Sequence, residues 1–140
     1  MPLEAIAYTS SAVGAPTDTD LERLLVHARR HNEQVGVTGV LLYHDGSFFQ
    51  YFEGPAEGVA AVYERVRRSA LHRGLVEVMH EPVAARAFED WLMGFTQAPG
   101  STLLQLSNAS WKARLARADV ALAESEGFQL LRNFWRSQGR

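Results

Sequence analysis

An α/β (α+β) fold, with two helices lying on one face of a mixed sheet, is the class this sequence predicts, and three observations point to it. Short apolar or aromatic runs alternate with two amphipathic segments in the order β-α-β-β-α-β, and one further strand follows. A short turn signal, His44-Asp45-Gly46, joins the two central strands into a hairpin. Past Pro99-Gly100, apolar residues recur at helical spacings, which adds short helices after the sheet.

The elements follow in order. Leu3 to Thr9 is short and apolar and runs into the Ser, Gly and Pro cluster of Ser10 to Pro16, which suits a first strand and its loop. Thr17 with Asp20 forms a capping box with Asp in place of Glu. Leu21, Leu24, Leu25 and Ala28 then share one helical face, and the helix should end between Asn32 and Gly36. Val37 to Tyr43 is rich in β-branched and apolar residues, Ser47 to Glu53 is aromatic, and Gly54-Pro55 closes the hairpin. Ala56 to Arg68 puts Val59, Val62, Tyr63 and Val66 on one helical face.

Val76 to Met79 reads as a fourth strand stopped by Pro82, and Trp91 to Thr96 as a fifth, with an irregular stretch from Ala84 to Asp90 between them. This order is that of the ferredoxin-like fold, in which both helices cover one sheet face and leave the other bare. Residues 99–140 form a helical extension to a domain at residues 1–98. Its Leu103, Leu104, Leu106, Trp111, Leu115, Phe128, Leu131, Phe134 and Trp135 need a surface, either the open sheet face or a partner's.

Composition removes several functional classes. At 140 residues, with 46% hydrophobic and 21% charged side chains, the chain suits one folded domain rather than two or a disordered tract. Fourteen basic against sixteen acidic residues leave a charge of −2, so no excess of positive charge announces a nucleic-acid binder. Without cysteine there is no disulfide, no thiolate metal site and no cysteine adduct, and the histidines show no metal-ligand spacing. Met1 to Tyr8 carries no basic leader, and no run of about 18 apolar residues occurs, so a cytoplasmic location without membrane association is expected.

Three polar residues break the apolar pattern. Strand alternation sends Phe48, Gln50 and Phe52 one way and Phe49 and Tyr51 the other. Asn32 continues the helical stripe of Leu21, Leu25 and Ala28, and Tyr8 shares its side with Ile6. Taken singly, such residues are an edge Gln, a helix-end Asn and a core Tyr. Together in one slot, each unpaired group costs about 1–3 kcal/mol, and a planar heterocycle with donor and acceptor edges would satisfy them.

The run Asn32-Glu33-Gln34-Val35-Gly36-Val37-Thr38-Gly39-Val40-Leu41-Leu42-Tyr43, then Asp45-Gly46-Ser47-Phe48-Phe49-Gln50-Tyr51-Phe52-Glu53-Gly54-Pro55, then Asp90-Trp91-Leu92-Met93-Gly94-Phe95, resembles the BLUF family of blue-light sensors using FAD. The resemblance spans about Leu3 to Thr96. It implies a photoreceptor rather than an enzyme, with FAD bound non-covalently. Tyr8 would be the electron and proton donor to the photoexcited flavin. Gln50 would be the hydrogen-bonding switch, Asn32 would hold the pyrimidine edge, and Trp91 and Met93 would be alternative neighbours of Gln50.

The family's flavin lies between the two helices, which makes Leu24, Ala28, Leu41, Phe48 and Val66 candidate walls, all of them plain core without it. His31 and Arg65 are candidate contacts, whereas Arg67 and Arg68 read as solvated, and His27, His44 and His80 as surface or packing residues. Ser69 stands where the family often has an acidic residue, a departure that bears on the cofactor's tail.

Two other readings compete. The aromatic run Phe48 to Phe52 could stack RNA bases on a ferredoxin-like sheet, although Asp45 and Glu53 beside it would repel phosphate. A small ferredoxin-like hydrolase would need an activated nucleophile or phosphate cradle, and none is visible, while a small ferredoxin-like ligand-binding module stays as the alternative beside RNA binding. No output motif follows Gly100, so the expected signal passes to an unidentified partner protein or through a homodimer or larger homo-oligomer.

Overall fold

A computed structural model describes residues 2–88, 93–111 and 125–137. In chain order its elements are β1 (Leu3–Ala12), α1 (Asp18–Val35), β2 (Thr38–His44), β3 (Ser47–Pro55), α2 (Ala56–Arg68), β4 (His72–Val83), β5 (Gly94–Gln97), α3 (Gly100–Asn108) and α4 (Glu126–Ser137). The strands form one sheet in the order β4-β1-β3-β2-β5. β3 is antiparallel to β1 and β2, β4 is antiparallel to β1, and β5 runs parallel to β2. Each helix therefore crosses over one intervening strand, α1 over β3 and α2 over β1, which is the ferredoxin-like arrangement.

Local chemistry sets the boundaries. Thr17 caps α1 through the amide of Asp20, and the Asp20 carboxylate accepts from the Thr17 amide, so two of the helix's orphan donors are satisfied. Gly36, at φ 72°, ends the helix in the left-handed region open to glycine. Asp45 and Gly46, at φ 41° and 84°, make the two-residue turn that pairs His44 with Ser47. α2 carries Arg65, Arg67 and Arg68 in its last turn, where cations oppose the helix dipole.

The sheet differs from the sequence reading at its two edges. β1 continues past Thr9 to Ala12, because β4 pairs along it as far as His72. β4 covers twelve residues rather than Val76 to Met79 and includes Pro82, opposite Glu4. An edge strand tolerates a residue that cannot donate to the ladder. β5 begins at Gly94, later than expected, with Met93 just before it. Trp91 and Leu115 lie outside the described residues.

Two cores sandwich the sheet. Ile6, Tyr8, Leu41, Phe48 and Phe52 face α1 and α2, together with Leu21, Leu25, Val59 and Val62. Val40, Leu42, Phe49 and Tyr51 face the other way and are covered by Leu103, Leu106, Trp111, Leu131 and Trp135. The described part of the extension, α3, Trp111 and α4, thus packs on the chain's own sheet face. Burying a leucine such as Leu106 or Leu131 stabilises by about 1.5–3 kcal/mol relative to exposure. Trp111 stacks on Phe49 at 5.6 Å, and Trp135 stands edge-on to Phe88 at 6.2 Å. The fully or nearly hidden Trp111 and Trp135 no longer argue for self-association. Phe48, Phe49, Tyr51 and Phe52 are all buried too, which leaves the RNA reading without an exposed stacking surface.

Candidate functional site

β1 and β3 set the centre of the site through their register. Tyr8 lies directly opposite Gln50, and Leu41 of β2 lies opposite Gln50 on its other side. Side chains of directly paired residues share a face, so phenol and carboxamide meet beneath α1 and α2. The Tyr8 hydroxyl donates to Gln50 Oε1, and Gln50 Nε2 donates to Met93 Sδ at 3.5 Å. Arg29 Nε, reaching across from α1, donates to the Met93 carbonyl oxygen at 3.0 Å. Burial first, and then the neighbouring Tyr63, hold the Tyr8 phenol above its ordinary pKa, so it keeps its proton at neutral pH.

Asn32 is 1% exposed near the end of α1, on the stripe of Leu21 and Leu25 that faces the sheet. Its main-chain carbonyl accepts from Gly36 and Val37, so a helix-end role and a buried side chain coexist in one residue. Between α1, α2 and the sheet centre lies a cavity of about 840 Å³. Tyr8, Asn32, Leu41, Phe48, Gln50 and Met93 border it, as do Leu24, Ala28, His31, Arg65 and Val66. Every described residue singled out from the sequence as a candidate for the flavin site is thus brought to one cavity. Of the two expected neighbours of Gln50, Met93 touches it, and Trp91 lies outside the described residues.

The cavity border also holds Arg23, His27, Arg68 and His72. Arg68 is exposed and paired with Glu64 at 2.9 Å, so its solvated character and its place at the rim agree. His27 is exposed, in keeping with a surface residue, and also borders the cavity. Burial, followed by the charge of Arg65, lowers the His31 pKa, which keeps its imidazole neutral at pH 7.

His72 had no assigned role, because only the long-range pairing of β4 with β1 brings its ring to 5.9 Å from that of Tyr8. Its Nε2 hydrogen-bonds the Val66 carbonyl at 2.8 Å, which requires an N–H there. Nδ1 is buried and meets no hydrogen-bond partner among the described residues.

These groups fit a flavin. The volume falls within the range of about 300–1,000 Å³ typical of cofactor sites. Apolar side chains form the walls, and carboxamides, a phenol and an imidazole nitrogen offer donors and acceptors to a heteroaromatic edge. Arg23 and Arg65 on the cavity's border suit an anionic tail.

The comparison with known families decides between cofactor classes: the model of the family described as "Sensors of blue-light using FAD" matches residues 3–94. The chain belongs to the BLUF family. BLUF domains are blue-light photoreceptors that use a flavin. The chain is 33% identical over 92 residues to photoactivated adenylate cyclase subunit beta of Euglena longa, a match covering 65% of this chain and 11% of that protein. It thus spans about a tenth of the length of that relative, and the match is to the BLUF portion.

Among solved structures, the dark state of the BLUF protein BlrB superposes with a TM-score of 0.66 at 28% identity, covering 69% of this chain and 73% of that one. Klebsiella pneumoniae BlrP1, described with FMN and cyclic diGMP, gives a TM-score of 0.63 at 29% identity, covering 68% and 26% of the two chains.

Glu53 is the residue that the sequence reading misjudged. It stands as a phosphate-repelling flank on that reading, yet it is 0% exposed. Its Oε1 accepts from the Tyr51 hydroxyl at 2.9 Å, and its Oε2 accepts from the Ala87 and Phe88 amides, each at 2.7 Å. Ala87 and Phe88 lie more than 30 positions along the chain, so nothing local in the sequence marks the pocket that holds Oε2. No described helix is long and apolar enough to cross a membrane.

Proposed function

We propose that this BLUF chain binds FAD non-covalently in the α1–α2 cavity and reads blue light through Tyr8 and Gln50. The reading rests on one observation above all: Gln50 spans from the Tyr8 hydroxyl to Met93 Sδ at the floor of that cavity. A bound flavin supplies the absorption of blue light and a strong excited-state electron acceptor. Tyr8, buried and protonated, is the electron and proton donor; the transfer is transient, both return to it, and what then relaxes in the dark is the turned amide. Gln50 is the group that changes. Its carboxamide presents an acceptor to Tyr8 and a donor to Met93, and turning the amide over exchanges those two ends. In the turned state the Tyr8 oxygen faces an N–H instead of a carbonyl, while Met93 Sδ loses its donor.

Asn32 and His72 Nδ1 hold polar edges of the cofactor, Leu24, Ala28, Leu41, Phe48 and Val66 wall it, and His31 and Arg65 serve its ribityl and phosphate side. Residues 1–98 carry the sensor and residues 99–140 the output surface, with α3, Trp111 and α4 covering the sheet's far face. The role is sensing rather than catalysis, performed in the cytoplasm, and the output passes to a partner protein or a second copy of the chain.

The experiment is a light-minus-dark difference spectrum of the purified chain, with the bound cofactor released and identified. A reversible red shift with FAD released is the expected result. A colourless preparation that takes up no flavin contradicts the reading, and release of FMN alone contradicts the choice of FAD. Size measurement and partner capture in darkness and under illumination test the output.

A further inference from the structure

We propose that Glu53 and Arg86 form a clasp that positions Met93 beside Gln50, and that this clasp sets the rate of return from the lit to the dark state. The inference rests on the photoreceptor reading and adds two positioning residues to it, both remote from the cavity. A carboxylate buried among Tyr51 and Phe88 is costly unless its lone pairs are used, and Glu53 uses both oxygens. Two of its three hydrogen bonds go to the main chain of Ala87 and Phe88, in a segment without helix or strand.

Arg86 grips from the other side. Its Nη2 donates to the Gly36 carbonyl at 2.7 Å, and its Nη1 donates to Thr38 Oγ1 at 3.0 Å and to the Glu53 carbonyl at 3.4 Å. The end of α1, the start of β2 and the end of β3 are thereby tied to residues 86–88.

What this tie governs follows from chain geometry. Phe88 precedes Met93 by five positions, so the place where Phe88 is held limits where Met93 can sit. Met93 is held from its own side by Arg29 at its carbonyl and by Gln50 at its sulfur. Phe88 also closes a packed loop: its ring stands 5.5 Å from Tyr51 and 6.2 Å from Trp135, and Trp135 lies against Gly94, the residue after Met93. Return to the dark state ends with Gln50 Nε2 meeting Met93 Sδ again. A sulfur already in place makes that step easy, whereas a loosened segment must first be ordered.

The test uses the flavin-loaded full chain and follows flavin content, light-minus-dark amplitude and dark-recovery time. Arg86→Ala is the deciding variant, since its guanidinium is only partly buried and its loss leaves the apolar cores intact. Flavin content and amplitude are expected to persist, with recovery slowed about threefold or more. Glu53→Gln keeps an oxygen for the two main-chain amides and should stay within about twofold of the parent, while Glu53→Ala should slow at least as much as Arg86→Ala.

In a Met93→Leu background the Arg86→Ala substitution should change recovery by less than about twofold, because the sulfur it positions is gone. Unchanged or faster recovery in Arg86→Ala overturns the clasp, as does an equal slowing in the Met93→Leu background. If Glu53→Ala fails to hold flavin, Arg86→Ala decides alone. A parent chain with no light-induced shift overturns the photoreceptor reading and the clasp with it, whereas a normally shifting parent beside an unaffected Arg86→Ala overturns only the clasp.

Discussion

Gly94→Ala probes how the C-terminal helices are seated. A Cβ at Gly94 would stand 2.6 Å from Trp135 Cζ2 and 2.7 Å from Cη2, where carbon atoms ordinarily pack about 3.5–4.0 Å apart. The indole would therefore have to retreat by about 1 Å. Trp135 is 3% exposed and braced by Phe88, so its retreat moves α4 rather than a free side chain. Overpacking of this kind costs about 1–3 kcal/mol. For a chain of this size that is a fall in Tm of about 3–9 °C, read at saturating flavin so that ligand binding does not mask it.

Urea unfolding should give the same loss as a lower midpoint with an unchanged slope. Trp135→Phe removes the two carbons in conflict, so Gly94→Ala in that background should cost about 1 kcal/mol less than in the parent. A Gly94→Ala protein as stable as the parent, or strict additivity with Trp135→Phe, would refute the packing of α4 on the far sheet face.

Three further outcomes are expected. Tyr8→Phe keeps the ring but removes the transferable proton, so the variant should bind flavin, fluoresce and show no light-induced shift; a normal shift would contradict the donor role. Asn32→Leu leaves the cofactor's polar edge without its carboxamide and should weaken flavin affinity by roughly tenfold, seen by equilibrium titration, with the photochemistry of the bound fraction retained. Burial, the largest influence on Glu53, raises its carboxyl above the ordinary value of 4.5, against the downward pull of its hydrogen bonds and of Arg86. The folded protein then holds a proton that the unfolded chain releases, so this contribution to stability is full below about pH 4.5 and is lost as pH rises through the folded value. Relative to Glu53→Gln, the parent's unfolding free energy should decline with rising pH in that window, and a constant difference would contradict the assignment.

The elements whose signals are local were legible in the sequence, and those made by distant contacts were not. The Thr17–Asp20 capping box, the Asp45-Gly46 turn and the α2 span need only neighbouring residues, and each sits where the pattern put it. Strand alternation sufficed to send Gln50 to one face and Tyr51 to the other, and the helical stripe sufficed to turn Asn32 inward. The length of β4 was hidden because an edge strand carries polar residues and even Pro82, which read as a stop.

Glu53 and His72 were missed for a related reason. Each takes its meaning from chain far away, Glu53 from Ala87 and Phe88, and His72 from Tyr8 across the β1–β4 pairing. The aromatic spacing of the extension announced that a surface was needed without saying whose; the packing of Trp111 on Phe49 answers it.

The switch at Gln50 is tested most directly by light-minus-dark spectra of the flavin-loaded parent and of Gln50→Leu, recorded side by side. Leucine fills a similar space but can neither accept from Tyr8 nor donate to Met93, so the variant should bind flavin and show no shift, while the parent shifts to the red and recovers in darkness. An equal, reversible shift in both proteins would contradict a carboxamide that turns over on excitation.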